Sequence, residues 1–263
     1  MHWILQNNIF AEEGHASLLR VLDAMGLPYS LHKIVPFTDR LDPEPKPAEG
    51  NVICIGSYAL LKVAMAQRWS PGVFTIRDYS HSELLALWGA RMLNNGVQCE
   101  LQNVSKTLIF QSNSRFFLRP ATDEKFFPGR LYDKDEYQAW IAGLLSEGDA
   151  IGSGTLPTTE VYVAAPKQIY AEYRTWIIDG RVVTSSSYKL QGRLHTGLLV
   201  DDDIVAFAEE SARVWSPARA FCLDIATTPD GLRIVEPNTL NFSGFHAADL
   251  GKLVGAIESA FSE

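Results

Sequence analysis

Only three cysteines occur in 263 residues: Cys54, Cys99 and Cys222, widely spaced and odd in number. The absence of any C-x-x-C pair excludes a cysteine zinc cluster and a disulfide framework. Small buried thiols in a reducing compartment are the expectation. Positive charge is scarce as well. The chain has 23 Lys and Arg against 31 Asp and Glu, for a net charge of −8, and a pI near 5.3. Phosphate-backbone recognition needs a basic face, so a dedicated nucleic-acid binder is set aside and only a local basic pocket is left open. No apolar run approaches the ~20 residues of a membrane-spanning helix. The N-terminus lacks a basic leader with an apolar stretch and a small-residue cleavage site. A cytoplasmic protein with no membrane and no nucleic-acid partner is expected. No G-x-x-x-x-G-K-[ST] is present, which excludes a P-loop, and no Ser-His-Asp or Cys-His arrangement stands out.

What is present begins as alternating strands and helices. Strands are expected at 2–9, 29–35, 51–55 and 73–76. Helices are expected at 12–25, near 58–69, and from the capping box of Ser80 and Glu83 to Gly96. This pattern implies a small parallel α/β domain over residues 1–96. From residue 97 the pattern becomes α+β. Hairpin strands are expected at 107–110 and 115–118, then a helix capped at Asp133, a strand at 160–164, a long hairpin over 170–189, a helix over 203–215, a last hairpin and a helix over 249–261.

The last hairpin is the most informative. Pro229-Asp230-Gly231 reads as a three-residue turn, which sets Thr228 against Leu232 and Asp224 against Glu236. Alternation puts Asn238 on the face of Glu236. Opposed carboxylates destabilise a sheet unless a positive group lies between them, and two acids with an amide oxygen suit a hard cation such as Mg²⁺. In the central hairpin, Asp179-Gly180 is a two-residue turn signal. With that loop Arg174 faces Ser185, Glu172 faces Ser187 and Tyr170 faces Lys189. Glu172, Arg174, Trp176, Ser185, Ser187 and Lys189 then share one side, and Tyr188 falls on the other, packing side. Upstream, Arg119 is a lone cation on an apolar strand ended by Pro120, followed by a loop containing Lys125. Cations opposite a carboxylate cluster are what a nucleoside triphosphate with its metal requires.

Taken together, Arg119-Pro120, the Lys125 loop, Glu160 to Val163, Glu172 with Arg174, Lys189, Asp224, and Glu236-Pro237-Asn238 resemble the ATP-grasp superfamily, in order and spacing. Arg119 stands where most members have lysine. With Lys125 and Lys189 it resembles the clade marked by one arginine and two lysines. The resemblance implies a preceding α/β domain and, over 97–263, a two-lobed ATP-grasp domain of antiparallel sheets and helices with the nucleotide between its lobes. It further implies that Arg119 and Lys125 contact the phosphates and that Glu160, Val161, Tyr162 and Val163 form the adenine-binding segment through backbone groups. Glu172 then binds the ribose, and Asp224, Glu236 and Asn238 hold one or two Mg²⁺ ions, with Mn²⁺ as a substitute. Arg174 and Lys189 meet the γ-phosphate or the acceptor carboxylate, and His246 is placed to line the acceptor pocket. The implied activity is ATP-dependent carboxylate–amine ligation through an acylphosphate, on small-molecule, peptide or protein-terminus substrates. An ATP-dependent phosphotransferase and a non-catalytic nucleotide-binding module stay open as alternatives, as does the oligomeric state.

Overall fold

In the computed structural model, which describes residues 1–8, 13–36, 38, 40–46, 51–76, 79–121, 127–147, 154–197 and 200–262, the chain begins with β1 (His2–Gln6), α1 (Glu13–Ala24), β2 (Tyr29–Ile34), β3 (Leu41–Asp42), β4 (Val52–Ile55), α2 (Ala59–Gln67) and β5 (Pro71–Gly72). The strands form one sheet in the order β3-β2-β1-β4-β5. β2 and β4 run parallel to β1, β5 parallel to β4, and only β3 is antiparallel. Both faces of a parallel sheet need cover. Trp3 and Leu5 join Leu18 and Leu22 of α1 on one face, while Ile4 and Cys54 join Leu60 and Val63 of α2 on the other. The strand expected over 73–76 is shifted to Pro71–Gly72. Val73 and Phe74 enter different cores, and the Phe74 N–H donates to the Asn241 side chain at 2.8 Å instead of to a ladder.

Next come α3 (His81–Trp88), β6 (Val97–Glu100), α4 (Leu108–Ser112), β7 (Arg115–Pro120), β8 (Arg130–Asp133), α5 (Lys134–Glu147) and β9 (Glu160–Ala164). The capping box at Ser80 and Glu83 forms in both directions, but α3 stops at Trp88, well short of Gly96. Gly96 instead permits a close crossing. A Cβ there would lie 1.7 Å from the Val163 carbonyl oxygen, so only glycine lets the chain pass β9. The strand expected over 107–110 is α4, because Thr107 Oγ1 accepts from the Phe110 N–H and caps a helical turn. β7 pairs instead with β8 and β9, in a four-stranded sheet ordered β6-β9-β7-β8. Phe110, Phe116, Tyr132 and Tyr137 fill its core.

The remainder is β10 (Ala171–Ile178), β11 (Arg181–Leu190), β12 (Arg193–Gly197), α6 (Asp202–Val214), β13 (Ala220–Thr228), β14 (Gly231–Asn238) and α7 (Leu250–Phe261). These strands form a sheet in the order β12-β11-β10-β13-β14. Asp179 and Gly180 both have positive φ, 47° and 77°, as a two-residue hairpin turn demands. At the last hairpin Gly231, the first residue of β14, has a φ of +97°, the left-handed conformation expected of it in the Pro229-Asp230-Gly231 turn. Trp176, Ile178 and Cys222 pack with Leu253 and Val254 of α7 in the same core as Trp3 and Leu5.

A parallel α/β sheet followed by antiparallel sheets with helices is the expected class. The chain forms two compact units, one of Met1–Arg77, Ile169–Thr227 and Glu236–Glu263, the other of Asp78–Gln168 and Thr228–Val235. Among the described residues no helix is long and apolar enough to cross a membrane.

Candidate active site

β10 and β11 depart from the register that their turn alone would impose. Ile178 faces Arg181, as expected, but shifts between Trp176 and Ile177 and between Glu172 and Tyr173 each insert a residue into β11. Arg174 therefore faces Ser186 rather than Ser185, and Glu172 faces Lys189 rather than Ser187. A bulge leaves its extra residue unpaired and re-aims the side chains around it. The second one carries Tyr188 to the charged side, away from the packing side on which simple alternation puts it.

The result is a closed network of cations and acids. Arg174 and Asp224 are direct partners across β10 and β13. The guanidinium donates twice, Nε to Oδ1 and Nη2 to Oδ2, both at 2.8 Å. Asn238 Nδ2 donates to Asp224 Oδ2 at 3.1 Å. The Tyr188 hydroxyl donates to Glu172 Oε2 at 2.8 Å and lies 3.4 Å from Asp224 Oδ2. Lys189 Nζ reaches both Glu172 oxygens, at 3.2 and 3.4 Å. Asp224 is 2% exposed and Glu172 8%, so these charges are screened far less than surface pairs. Burial works against the Arg174 cation, yet the Asp224 carboxylate prevails and the Arg174 pKa is raised. Burial and the charges of Asp224 and Glu172 push the Tyr188 phenol up, so it stays a proton donor. Behind this ring lies His246, stacked on Tyr188 at 5.1 Å and 15°.

The same face of β10 and β13 continues from Arg174 and Asp224 into the core residues Trp176 and Cys222. The charged side is thus the open end of a packed layer, not a solvated surface.

Over residues 49–257 the sequence matches the model of an ATP-grasp domain, family 3 of the clade with one arginine and two lysines. The chain belongs to that family. Its fold matches that of solved ATP-grasp proteins along nearly the whole length. The ATP-grasp ligase PsnB complexed with minimal precursor aligns with a TM-score of 0.60 and 13% identity over 98% of both chains. D-alanine–D-alanine ligase from Bacillus anthracis complexed with ATP gives 0.60 and 10% over 98% of this chain and 96% of that one. D-cycloserine synthetase DcsG gives 0.60 and 13% over 98% and 99%. At such identities the likeness is one of fold. A search of curated proteins found no match to the sequence.

The ATP-grasp residues expected upstream all belong to the other unit. Arg119 is opposite Tyr162 across β7 and β9, and Gly129 passes so close that a Cβ there would be 3.0 Å from Arg119 Cβ. Lys125 lies outside the described residues. Glu160 is exposed and accepts from Gln98 at 3.2 Å. Val161, Tyr162 and Val163 have partners on both sides, in β6 and in β7. Their backbone groups are held by two ladders. The Tyr162 ring is buried against His81, with centroids 4.1 Å apart.

The residues expected to hold a metal, Asp224, Glu236 and Asn238, lie in the first unit. Glu236 and Asn238 share a face of β14 by alternation, and the 3.1 Å contact brings Asn238 to Asp224. Among the described residues no group of three or more His, Cys, Asp or Glu could hold a metal. Asp224 already meets a cation. A metal on this carboxylate would compete with Arg174 for its charge.

Sequence reading missed Tyr188 because bulges are invisible to a register counted from the turn. One signal was available: Val182 to Ser187 has no apolar–polar alternation, which a regular half-buried strand would show.

Proposed function

We propose that this protein is an ATP-dependent carboxylate–amine ligase that forms an amide through an acylphosphate. The observation carrying this reading is the network Lys189–Glu172–Tyr188–Asp224–Arg174, buried at its acids, in which two cations and two acids converge with no nucleophilic Ser or Cys among them. Chemistry that rests on positioning and charge neutralisation needs such a set. Family membership supplies the nucleotide, and PsnB, D-alanine–D-alanine ligase and D-cycloserine synthetase give the class of reaction by analogy.

In this reading Arg119 and Lys125 meet the ATP phosphates and Glu172 the ribose hydroxyls. Asp224, Glu236 and Asn238 hold Mg²⁺, which when bound neutralises phosphate charge. Arg174, once released from one Asp224 oxygen, turns its planar fork toward the transferring phosphoryl group, for which a guanidinium is better shaped than an ammonium. Lys189, 39% exposed at its side chain, neutralises the substrate carboxylate. The division into a preceding domain over 1–96 and an ATP-grasp domain over 97–263 belongs to the same reading, as does a cytoplasmic location. Small-molecule, peptide and protein-terminus substrates all suit it. The test is release of ADP and phosphate by the purified protein with Mg²⁺·ATP and panels of carboxylates and amines. Release that needs both partners supports ligation. ADP formation with the carboxylate or a hydroxyl compound alone favours a phosphotransferase, and ATP binding without turnover favours a binding module.

A further inference from the structure

Ligation has a proton to dispose of. An amine is mostly ammonium at neutral pH, and only its free lone pair attacks an acylphosphate. As the C–N bond forms, the C–O bond to phosphate breaks, and phosphate leaves with the electron pair and one of the nitrogen's protons; the extra proton of the ammonium has to be taken by a base beforehand.

We propose that His246 is the base that takes this proton. The assignment rests on the ligase reading and names the residue that serves its second half-reaction.

Three contacts fix the loop bearing His246 to β11 and to Arg174 of the charged network. The Ala247 N–H donates to Ser186 Oγ at 3.1 Å, the Asp249 N–H donates to Thr184 Oγ1 at 3.0 Å, and the Gly244 carbonyl accepts from Arg174 Nη1 at 3.5 Å. Phe245 plugs into the core, and Gly14 lies so near that a Cβ there would be 2.8 Å from Phe245 Cβ. So pinned, His246 holds a φ of +50°, a left-handed conformation uncommon for a bulky residue and a recognised mark of functional sites. Its ring is stacked on Tyr188, whose hydroxyl reaches both acids of the network. Among the described residues neither imidazole nitrogen takes a hydrogen bond from the protein, so a lone pair is open to a ligand.

No neighbour can serve as well. Asp224 is occupied by Arg174 and Asn238, and Glu172 by Tyr188 and Lys189. Arg174 and Lys189 are cations, and Tyr188 holds its proton. The charged and titratable groups facing His246 are Tyr188, Arg174 and Asp224. Burial and then the Arg174 charge lower the His246 pKa, with Asp224 acting the other way, which keeps the imidazole neutral and able to accept. The other described histidines are differently placed. His2 and His32 share the Ser30 hydroxyl, His15 is on α1 with its Nε2 buried and without a partner, His81 is bonded to the Asn94 carbonyl, and His195 is on the exposed strand β12.

The experiment compares two nucleophiles in the full-length protein with Mg²⁺·ATP and a mixture of amino acids and dipeptides as carboxylates. Hydroxylamine is largely unprotonated at neutral pH and needs no base, whereas an amino-acid amine does. In His246→Asn, a residue that tolerates left-handed backbone, the ratio of amide to hydroxamate should fall on the order of 10²- to 10⁴-fold. In His246→Gly, added imidazole should restore the ratio. Equal loss of both products, or an unchanged ratio, overturns the role of His246 alone. A parent protein that forms neither hydroxamate nor ADP overturns the ligase reading, and the base with it.

Discussion

Arg174 and Asp224 face each other across neighbouring strands and are joined by two parallel hydrogen bonds of 2.8 Å. Their side chains are 13% and 3% exposed. Removing one partner of a buried pair strands the other charge, at a cost of about 3–5 kcal/mol. Arg174→Ala should lower stability by that amount in urea denaturation. Adding Asp224→Asn should recover part of the loss, because the orphaned charge is gone. An Arg174→Ala protein as stable as the parent would show that water or another cation replaces the guanidinium.

Tyr188→Phe isolates the contribution of the hydroxyl. The ring and its stack on His246 stay, while Glu172 loses its 2.8 Å donor. Loss of a hydrogen bond to a buried charged acceptor should cost about 1–3 kcal/mol. The denaturant midpoint should fall with the slope unchanged. No shift in midpoint would mean that Lys189 alone satisfies Glu172.

How much of this was legible depended on the kind of signal. The carboxylates, Arg119, Arg174 and Lys189 are visible because a charge among apolar strand residues is a local anomaly. The Asp179-Gly180 turn is visible because two successive positive φ angles demand such residues. Tyr188 was hidden by a bulge, which depends on what β10 and the 241–249 loop ask of β11 rather than on β11 itself. The helical turn at α4 was hidden likewise. Leu108, Ile109 and Phe110 read as a strand, and one Thr107 hydroxyl tips them into a helix. Two-sided pairing of β9 is a matter of topology, so no local reading of Glu160 to Val163 could reveal that their backbone is occupied.

His81 should make stability depend on pH in the acid range. Burial holds its pKa down at about 4 from an ordinary 6.5, opposed by its bond to the Asn94 carbonyl and aided by the Arg119 charge. The unfolded chain therefore binds a proton first as pH falls, and folding stability drops between pH 6.5 and about 4. The loss is on the order of 3 kcal/mol. His81→Gln keeps a donor for Asn94 and removes the titration, so its stability should vary less over that window. Parallel profiles for the two proteins would assign acid sensitivity to other groups.

Nucleotide affinity and turnover should separate between the two units. Arg119 is assigned to the ATP phosphates, where a charge-assisted hydrogen bond contributes about 1.5–3 kcal/mol. Arg119→Ala should then weaken ATP binding roughly 10- to 100-fold by calorimetry. Glu236 is assigned to the metal, so Glu236→Ala should abolish ADP formation while the circular dichroism spectrum and urea midpoint stay near those of the parent. Glu236 is partly exposed on β14. Retained turnover in Glu236→Ala would put the metal elsewhere, and unchanged affinity in Arg119→Ala would remove that residue from the phosphate site. The pair of results is informative because each variant tests an assignment in a different unit.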